Sequence, residues 1–320
     1  MTSQTTKCLS GKSAFLSLLQ QEGITHLFGN PGTTELPIMD ALSEQSNLHY
    51  VLGLQEAGVV AMADGFSRAT GQLTACNVHV APGLGNAMGS LYNAKFYGSP
   101  IIVTAGQQEQ GHGLTEPMLY DSLVPIAQPL VKWAVEVTRL QDLPRIVHRA
   151  AKIALTPPSG PVFISLPGDI LNETGALDLG HTTRVDTTAR PTDEILKALA
   201  KRILQATAPV IVSGHEVATH HALDEVGKLA ETLGAPIYQQ TVPCGTHAQS
   251  DHSCFMGAIP RVQAQAHELL KDHDLMLCIG ADVLRMSVFS TIDPLPSSTN
   301  IVQIGLRDWE MGKNYPTELA

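Results

Sequence analysis

Short apolar runs alternate with segments of helical periodicity along the first half of the chain. The predicted strands cover 24–28, 50–54, 73–78, 100–105 and 160–166. The clearest helical stripes between them cover 12–21, 55–66 and 87–97, the last opened by the glycines at 83 and 85. Strands that alternate with helices predict βαβ units and a mainly parallel sheet.

The same alternation returns after Pro191. Helical patterns separate further short apolar runs, with predicted strands at 209–213, 235–238, 274–279 and 301–304. Between 172 and 190 the apolar period is lost, which predicts a surface linker. We therefore predict an α/β fold of two doubly wound domains with mainly parallel sheets, an N-terminal domain over 1–180 and a Rossmann-like central domain over 190–320.

Four successive strands of the first domain each end in a polar or glycine-rich segment. These segments are 29–35, 55–56, 79–86 and 106–116. The carboxyl ends of parallel strands lie at the same edge of a sheet, and ligands of open α/β folds bind at that edge. The pattern therefore predicts a binding site there, more strongly than any single residue does.

Glu56 is the acid that this pattern places inside an apolar element. We predict that the helix of small residues over 55–66 is buried on nearly every face, which would shield Glu56 from water. Acids are also common at helix N-termini for electrostatic reasons alone, so a purely structural interpretation stays open at this point. A shielded carboxylate is suited to holding and exchanging a proton.

Composition adds limits to this picture. The 320 residues suit two domains, and 43% hydrophobic against 16% charged residues indicates large buried or subunit-facing surfaces. A net charge of -10 without basic runs argues against nucleic-acid and anionic-membrane partners. Five scattered cysteines without a C-x-x-C pair indicate a reducing compartment. With a polar first segment and only a short apolar run after it, we predict a cytoplasmic protein.

The spacing of residues along the chain bears on two other kinds of site, a zinc site and a nicotinamide site. The ligand-type residues Cys244, His247, His252 and Cys254 lie close together, but their spacing fits no common zinc module, so we predict no metal ligands. The glycines within 79–89 miss the G-x-G-x-x-G fingerprint by one position, which disfavours a nicotinamide site.

Several collinear motifs carry a resemblance to a known family. They are FGNPG at 28–32, LQEA at 54–57, ADG at 63–65, NVH at 77–79, GLGNAM at 83–88 and VTAGQQ at 103–108, followed by PLVKW at 129–133. Together they resemble the pyrimidine-binding domain of thiamine diphosphate-dependent enzymes of the benzoylformate decarboxylase and acetolactate synthase type. The second domain resembles their central domain more loosely, through Cys278–Ala281.

The resemblance implies a cofactor, a reaction and site residues. It implies thiamine diphosphate with Mg²⁺, and decarboxylation of a 2-oxo acid. The alternatives are an acetolactate synthase-type carboligase and a non-catalytic dimerising module. Glu56 would hydrogen-bond the aminopyrimidine ring and support its proton relay, and His79 would be a catalytic histidine. The implied cofactor contacts are Asn30, Pro31, Gly32, Glu56, Gly83, Asn86 and Gln107.

The substrate pocket departs from the decarboxylase pattern. Thr33 occupies the place of a serine that contacts the substrate carboxylate, and Leu119 would line the pocket. Ser287 stands where the decarboxylase has a second histidine, which weakens the expectation of an aromatic 2-oxo acid. His112 lies in a loop where pyruvate-type decarboxylases place histidines and is the candidate for the missing acid.

The family's third domain, which holds the diphosphate and Mg²⁺, has no counterpart in the motifs of this sequence. The nearest string, ADG at 63–65, belongs to the predicted Glu56 helix. We therefore expect an incomplete enzyme, either a fragment or a chain that works with a separate diphosphate-binding subunit. The resemblance also implies a homodimer or homotetramer.

Overall fold

The computed structural model describes residues 7–44 and 47–320. The described chain forms two compact units, with the division between Thr187 and Thr188. The strands of the first unit are β1 (Lys7–Ser10), β2 (His26–Gly29), β3 (His49–Leu52), β4 (Thr74–Val78), β5 (Ile101–Gln107), β6 (Ala134–Glu136), β7 (Val162–Pro167) and β8 (Thr174–Leu177). Its helices are α1 (Gly11–Gln21), α2 (Leu36–Leu42), α3 (Glu56–Thr70), α4 (Val80–Tyr97), α5 (Leu123–Ala127), α6 (Leu143–Leu155) and α7 (Gly168–Asn172).

The main sheet of the first unit is parallel throughout. Its strand order is β3-β2-β4-β5-β7-β6, and every neighbouring pair runs in the same direction. The chain leaves β2 for β3 on one side, then returns to place β4 on the other side of β2. Because ligands bind where strand order reverses, the segments that follow β2 and β4 are the expected binding loops.

Alternate residues of these strands enter two apolar cores, one on each face of the sheet. Leu27, Ala75 and Ile102 pack in the core that contains α1 and α6 residues. Phe28, Cys76 and Val103 pack in the core formed with α3, α4 and α5. Strands buried on both faces explain the continuous apolar runs in the sequence. The predicted α/β fold with mainly parallel sheets is confirmed.

Helix α3 positions the acid at its first residue. The Gln55 side chain accepts a hydrogen bond from the Gly58 N–H at 3.1 Å and so caps the helix. The helix ends at Gly71, whose φ of 68° lies in the left-handed region. The prediction that this helix is buried on nearly every face is wrong, because Ala61 and Met62 are exposed in the described chain.

Two further predictions about local structure are wrong. Helix α4 begins at Val80, so Gly83 and Gly85 lie inside it and do not precede it. The segment predicted as a linker contains β8, which pairs antiparallel with β1 between Lys7 and Ser10. Pairing with a distant strand supplies the backbone hydrogen bonds that a polar sequence without periodicity did not indicate.

The second unit repeats the parallel arrangement. Its strands are β9 (Pro209–Ser213), β10 (Ile237–Gln239), β11 (Phe255–Ala258), β12 (Leu275–Ile279) and β13 (Asn300–Ile304), in the sheet order β11-β10-β9-β12-β13. Its helices are α8 (Asp193–Leu204), α9 (His215–Thr219), α10 (Leu223–Leu233) and α11 (Gln263–Leu270). Cores on both faces of this sheet again enclose the central strands.

Across 7–44 and 47–320, the structure contains no helix with the length and apolar character needed to cross a bilayer.

Candidate functional site

Side chains from the ends of three neighbouring strands meet at one edge of the first sheet. The loop after β2 carries Asn30 and Gly32. Glu56 begins α3 just after the turn that follows β3, and β4 is followed directly by His79. The Asn30 N–H donates to the Asn77 carbonyl of β4 at 3.2 Å, which ties the β2 loop to the neighbouring strand. The predicted convergence at the carboxyl edge is thus present in the described chain.

Glu56 lies at the centre of the first group of contacts. Its residue is 8% exposed, and its two carboxylate oxygens each accept a hydrogen bond at 3.0 Å. Asn30 Nδ2 donates to Oε1, and Asn86 Nδ2 donates to Oε2. Both donors are neutral amides, and the N-terminus of α3 favours an anion at this position. The two amides fix the orientation of the carboxylate without neutralising it.

Gly83 allows α4 to approach this carboxylate closely. A Cβ atom at position 83 would lie 3.1 Å from Glu56 Oε1, which is closer than ordinary van der Waals contact. The glycine lies inside a helix, where it lowers helix propensity, so its presence is best explained by this close approach. A small residue at 83 therefore keeps one side of the carboxylate open.

His79 forms a second group of contacts with a buried acid. Its Nδ1 lies 2.7 Å from Glu35 Oε2, and Glu35 is fully buried. A carboxylate only accepts hydrogen bonds, so Nδ1 carries the proton and donates it. The His79 side chain is 23% exposed. With Nδ1 engaged, Nε2 is the nitrogen that remains for exchanging a proton with a ligand.

Glu35 accepts four hydrogen bonds in all. Oε2 also accepts the Gly32 N–H at 2.8 Å, and Oε1 accepts the Thr34 hydroxyl at 2.7 Å and the Gly106 N–H at 2.8 Å. This carboxylate therefore ties the loop after β2, the end of β5 and His79 together. From the sequence, Glu35 was only one residue of the polar segment 29–35, and this function was not predicted.

The backbone beside His79 is strained. Val80, the first residue of α4, has a φ of 40°. A β-branched residue with positive φ is a steric outlier that costs about 1–3 kcal/mol, and such outliers cluster at functional sites. On the other side, a Cβ atom at position 32 would lie 2.3 Å from the His79 ring, so Gly32 is required for the ring to occupy this place.

A half-buried tyrosine with an enclosed hydroxyl lies near the same acid. The Tyr50 hydroxyl has no hydrogen-bond partner within the described chain. Burial, together with the negative charge of Glu35 and the nearby Cys76, raises the pKa of Tyr50 well above its usual range. The phenol therefore stays neutral and adds no charge to the site.

Other predicted site residues lie farther along the same edge. Gln107, at the end of β5, is buried, and its Nε2 donates to the Asp121 carbonyl at 2.9 Å. Pro31 is half-buried between Asn30 and Gly32, and Thr33 is exposed at the start of a short 3-10 turn. Gln107 thus holds the loop that follows β5 and, in the described chain, does not hydrogen-bond Glu56 or His79.

Two further predicted residues of the first unit form no hydrogen bond with Glu56 or His79 in the described part of the chain. His112 and Leu119 are exposed on the loop after β5, where Leu119 has a φ of 67°. Ser287 is exposed in the second unit. Their assignment to the site stays a prediction.

Two family models match the chain. "Thiamine pyrophosphate enzyme, N-terminal TPP binding domain" matches residues 9–120, and "Thiamine pyrophosphate enzyme, central domain" matches residues 196–320. The first match contains all the residues that contact Glu56 and His79 in the structure. The resemblance inferred from the motifs between 28 and 108 is confirmed.

Curated proteins and solved structures of the same kind are similar to the chain. Benzoylformate decarboxylase of Pseudomonas aeruginosa is 37% identical over 295 residues, which covers 91% of this chain and 56% of that protein. The acetolactate synthase large subunit of Haemophilus influenzae is 25% identical over 98% of this chain and 55% of its own length. The structure of a 4-hydroxybenzoylformate decarboxylase of Rhodococcus jostii aligns with a TM-score of 0.88 at 33% identity, over 98% of this chain and 59% of that one. The chain thus spans just over half the length of these relatives.

Proposed function

The chain belongs to the thiamine pyrophosphate enzyme family, and we propose that it forms the aminopyrimidine-binding part of a 2-oxo acid decarboxylase of the benzoylformate decarboxylase type. The observation that carries this proposal is the buried Glu56 carboxylate, held between two asparagine amides at the carboxyl edge of a parallel sheet.

The residues around Glu56 fit an aminopyrimidine ring. Each carboxylate oxygen accepts one described hydrogen bond and has capacity for another. A Cβ atom at Gly83 would fill the space beside Oε1, whereas glycine leaves it free. Glu56, Asn30 and Asn86 would hold the ring through this carboxylate, and Pro31, Gly32 and Gln107 would form the adjoining wall of the site.

The chain's own residues would bind and move protons. When bound, thiamine diphosphate supplies an electron sink for the loss of carbon dioxide from a 2-oxo acid. Glu56 would give or take a proton at a carboxylate oxygen facing the ring, and the two asparagines would keep that oxygen in place. Low exposure of Glu56 keeps water from competing for the same proton.

His79 would be the second proton-carrying group. Glu35 accepts the Nδ1 proton, which fixes the ring orientation and leaves Nε2 as the basic nitrogen. In this position His79 would protonate or steer the reacting molecule. Thr33 would contact the substrate carboxylate through its hydroxyl, with Leu119, Ser287 and His112 as further candidates for the substrate side.

Decarboxylation is favoured over carboligation by similarity. Identity is 37% with a benzoylformate decarboxylase and 25–29% with acetolactate synthases. Ser287 occupies the place of a histidine, so the proposed substrate class is a 2-oxo acid without a commitment to an aromatic side chain. Benzoylformate is nevertheless the first substrate to assay.

Exposed apolar side chains on α3, on α4 and in the turn before α3 support an oligomer. Leu54, Met62 and Tyr92 are 91%, 37% and 56% exposed. Exposed apolar side chains of this size mark interaction surfaces, which a second subunit would cover. We propose a cytoplasmic homodimer or homotetramer, in which residues outside the two matched domains hold the diphosphate and Mg²⁺.

Calorimetric titration of the chain with thiamine, and with thiamine diphosphate plus Mg²⁺, tests the proposal. Thiamine lacks the diphosphate, so it isolates recognition of the aminopyrimidine. Glu56→Gln should weaken thiamine binding at least tenfold, which corresponds to ~1.4 kcal/mol. Glu194→Gln is the matched control, because Glu194 also lies in a first helical turn but is exposed in the second unit. Equal affinity of the Glu56→Gln variant and the parent would refute the assignment.

Turnover distinguishes the alternatives. The chain with cofactor and Mg²⁺ is assayed alone and with candidate diphosphate-binding chains. Carbon dioxide release from benzoylformate or another 2-oxo acid, without coupling of two substrates, supports the decarboxylase. Acetolactate formed from pyruvate would indicate the carboligase. Dimerisation with neither thiamine binding nor turnover would indicate a non-catalytic module.

A further inference from the structure

Three potential metal ligands lie together at the carboxyl edge of the second sheet. His215 is the first residue of α9, directly after β9 and Gly214. Cys244 and His247 lie in the loop after β10, and β10 is the parallel neighbour of β9. Adjacent strand ends therefore bring these residues together from two separate parts of the sequence, at the edge where α/β folds bind ligands.

The spacing of the ligand atoms suits a small metal ion. One ligand atom from each of the three residues lies within 4.8 Å of the other two. Cys244 Sγ and His247 Nε2 are 3.5 Å apart. Zinc–sulfur bonds of ~2.3 Å and zinc–nitrogen bonds of ~2.0 Å at a tetrahedral angle place the two ligand atoms about 3.5 Å apart. Nε2 also accepts the Cys244 N–H at 3.4 Å, a long hydrogen bond that an ion bound through this nitrogen would replace.

His247 is a second, independent indication. The residue is fully buried, and its Nδ1 has no hydrogen-bond partner within the described chain. Buried polar nitrogens are normally paired, whereas this ring leaves Nδ1 unpaired and holds Nε2 only through the Cys244 N–H at 3.4 Å, so it has capacity for a further ligand.

The position also allows an ion to enter. Cys244 and His215 are half-buried, so solvent reaches the cluster although His247 is enclosed. The ring centroids of His215 and His247 are 5.9 Å apart. A thiol and two imidazoles supply no oxygen ligand, which disfavours Mg²⁺ and Ca²⁺ and favours zinc-class ions.

We propose that His215, Cys244 and His247 form a binding site for one zinc-class divalent ion per chain. Three protein ligands leave a fourth tetrahedral position for solvent or a small ligand. On binding, the Cys244 thiol loses its proton to solvent and its thiolate sulfur bonds to the ion, while both imidazoles bind in the neutral form. The proposed ligand set differs from the four residues that were considered from their spacing, because it leaves out His252 and Cys254. In the structure, His252 accepts a hydrogen bond from the Cys254 N–H at 3.2 Å and lies beside Glu231.

Metal titration of the chelator-treated full chain tests the site. Co²⁺ is the spectroscopic probe, because thiolate ligation produces a charge-transfer band, and Zn²⁺ is then added to displace it. We expect one equivalent of Co²⁺ per chain with this band. Cys244→Ser should abolish the band, and His215→Gln should weaken binding at least ~100-fold, the upper end of what loss of a supporting residue costs.

Matched controls come from the same loop. Cys254→Ser and His252→Gln change a thiol and an imidazole of similar exposure that lie outside the cluster, so both should retain the band and the parent affinity. Folding of every variant is checked by circular dichroism. If Cys244→Ser does not fold, His215→Gln decides, because His215 is half-buried on the first turn of α9. Absence of binding, binding without the charge-transfer band, or equal loss in the control variants would overturn the proposal.

Discussion

Replacing Glu35 by glutamine is the sharpest test of how the site is built. The carboxylate accepts four hydrogen bonds, two on each oxygen. A glutamine amide keeps one accepting oxygen. Its NH₂ group then faces one of two donor pairs: the Thr34 hydroxyl with the Gly106 N–H, or the His79 ring with the Gly32 N–H. A hydroxyl can rotate and an imidazole can change tautomer, whereas a backbone N–H cannot adapt. Either orientation therefore leaves one backbone donor, the half-buried Gly32 N–H or the buried Gly106 N–H, without an acceptor.

The size of the expected loss of stability follows from these contacts. An unsatisfied buried donor costs about 1–3 kcal/mol, and each remaining bond loses part of its strength because its acceptor is no longer charged. Removing a buried anion offsets part of this loss. We expect Glu35→Gln to lower the free energy of unfolding of the first unit by about 2–4 kcal/mol, a large share of the ~5–15 kcal/mol that is typical of a domain. If the NH₂ group faces His79, the imidazole proton moves from Nδ1 to Nε2.

Urea unfolding followed by tryptophan fluorescence measures this change. The chain has two tryptophans, and in a Trp309→Phe background Trp133 alone reports on the first unit. Asp40→Asn is the matched control, because Asp40 lies in neighbouring α2 with a side chain that is 71% exposed and pairs only at the surface with Lys12. That pair contributes less than ~1 kcal/mol. Long-range nitrogen–proton NMR reports the His79 tautomer. Equal stability of the Glu35→Gln and Asp40→Asn variants, with an unchanged tautomer, would refute the reasoning.

Three further changes probe separate features. Gly83→Ala should weaken thiamine binding roughly tenfold in calorimetric titration, because its Cβ would lie 3.1 Å from Glu56 Oε1, whereas Gly89→Ala, whose Cβ meets nothing within 4 Å, should not. Tyr50→Phe removes a buried hydroxyl without a described partner, so urea unfolding should show no loss of stability beyond ~1 kcal/mol, and a larger loss would reveal a missed partner. Although desolvation opposes them, backbone N–H donors hold the pKa of Asp274 below its usual range. The stability that Asp274 contributes is therefore present above about pH 4 and lost as pH falls through the folded pKa, so the gap between the parent and Asp274→Asn should close in acid and not widen.

Local periodicity predicted most of the first sheet because its strands are buried on both faces. The start of α4 shows where that signal fails. Gly83, Gly85 and Gly89 lower helix propensity over the first half of α4, so the sequence predicted a helix only from Ala87. In the structure, close packing of α4 against α3 outweighs this cost, and it is the same packing that brings Gly83 to Glu56. A tertiary contact thus decides a boundary that propensity cannot.

The prediction over the β8 segment failed for a different reason. Its partner is β1, and the ladder joins Lys7 to Leu177. Neither segment has the alternating apolar pattern that marks a half-buried strand, and the pairing depends on two segments at opposite ends of the unit meeting in space. Only the folded sheet brings them together, so the sequence of either segment alone contains no sufficient signal.

Prediction of the site from the sequence is limited in the same way. Strand ends and the family resemblance placed Asn30, Glu56 and His79 at one edge, because a parallel sheet collects these positions whatever their distance along the chain. Glu35 was missed because its decisive partners are His79 and Gly106, 44 and 71 positions away. One usable signal was present in the sequence. Glu35 lies in the same strand-end loop as Asn30, and an acid that is buried there must have hydrogen-bond partners.

The two buried carboxylates of the site are distinguished by how their hydrogen-bonding capacity is used. A carboxylate offers about four acceptor positions. Glu35 uses four of them on donors of the chain itself, so it can hold the loop after β2 and His79 but has nothing left for a ligand. Glu56 uses two, both on asparagine amides of the described chain, and remains able to accept or share a proton. Burial alone therefore does not decide what these acids do: the saturated acid orients the histidine, and the unsaturated acid keeps capacity for a ligand.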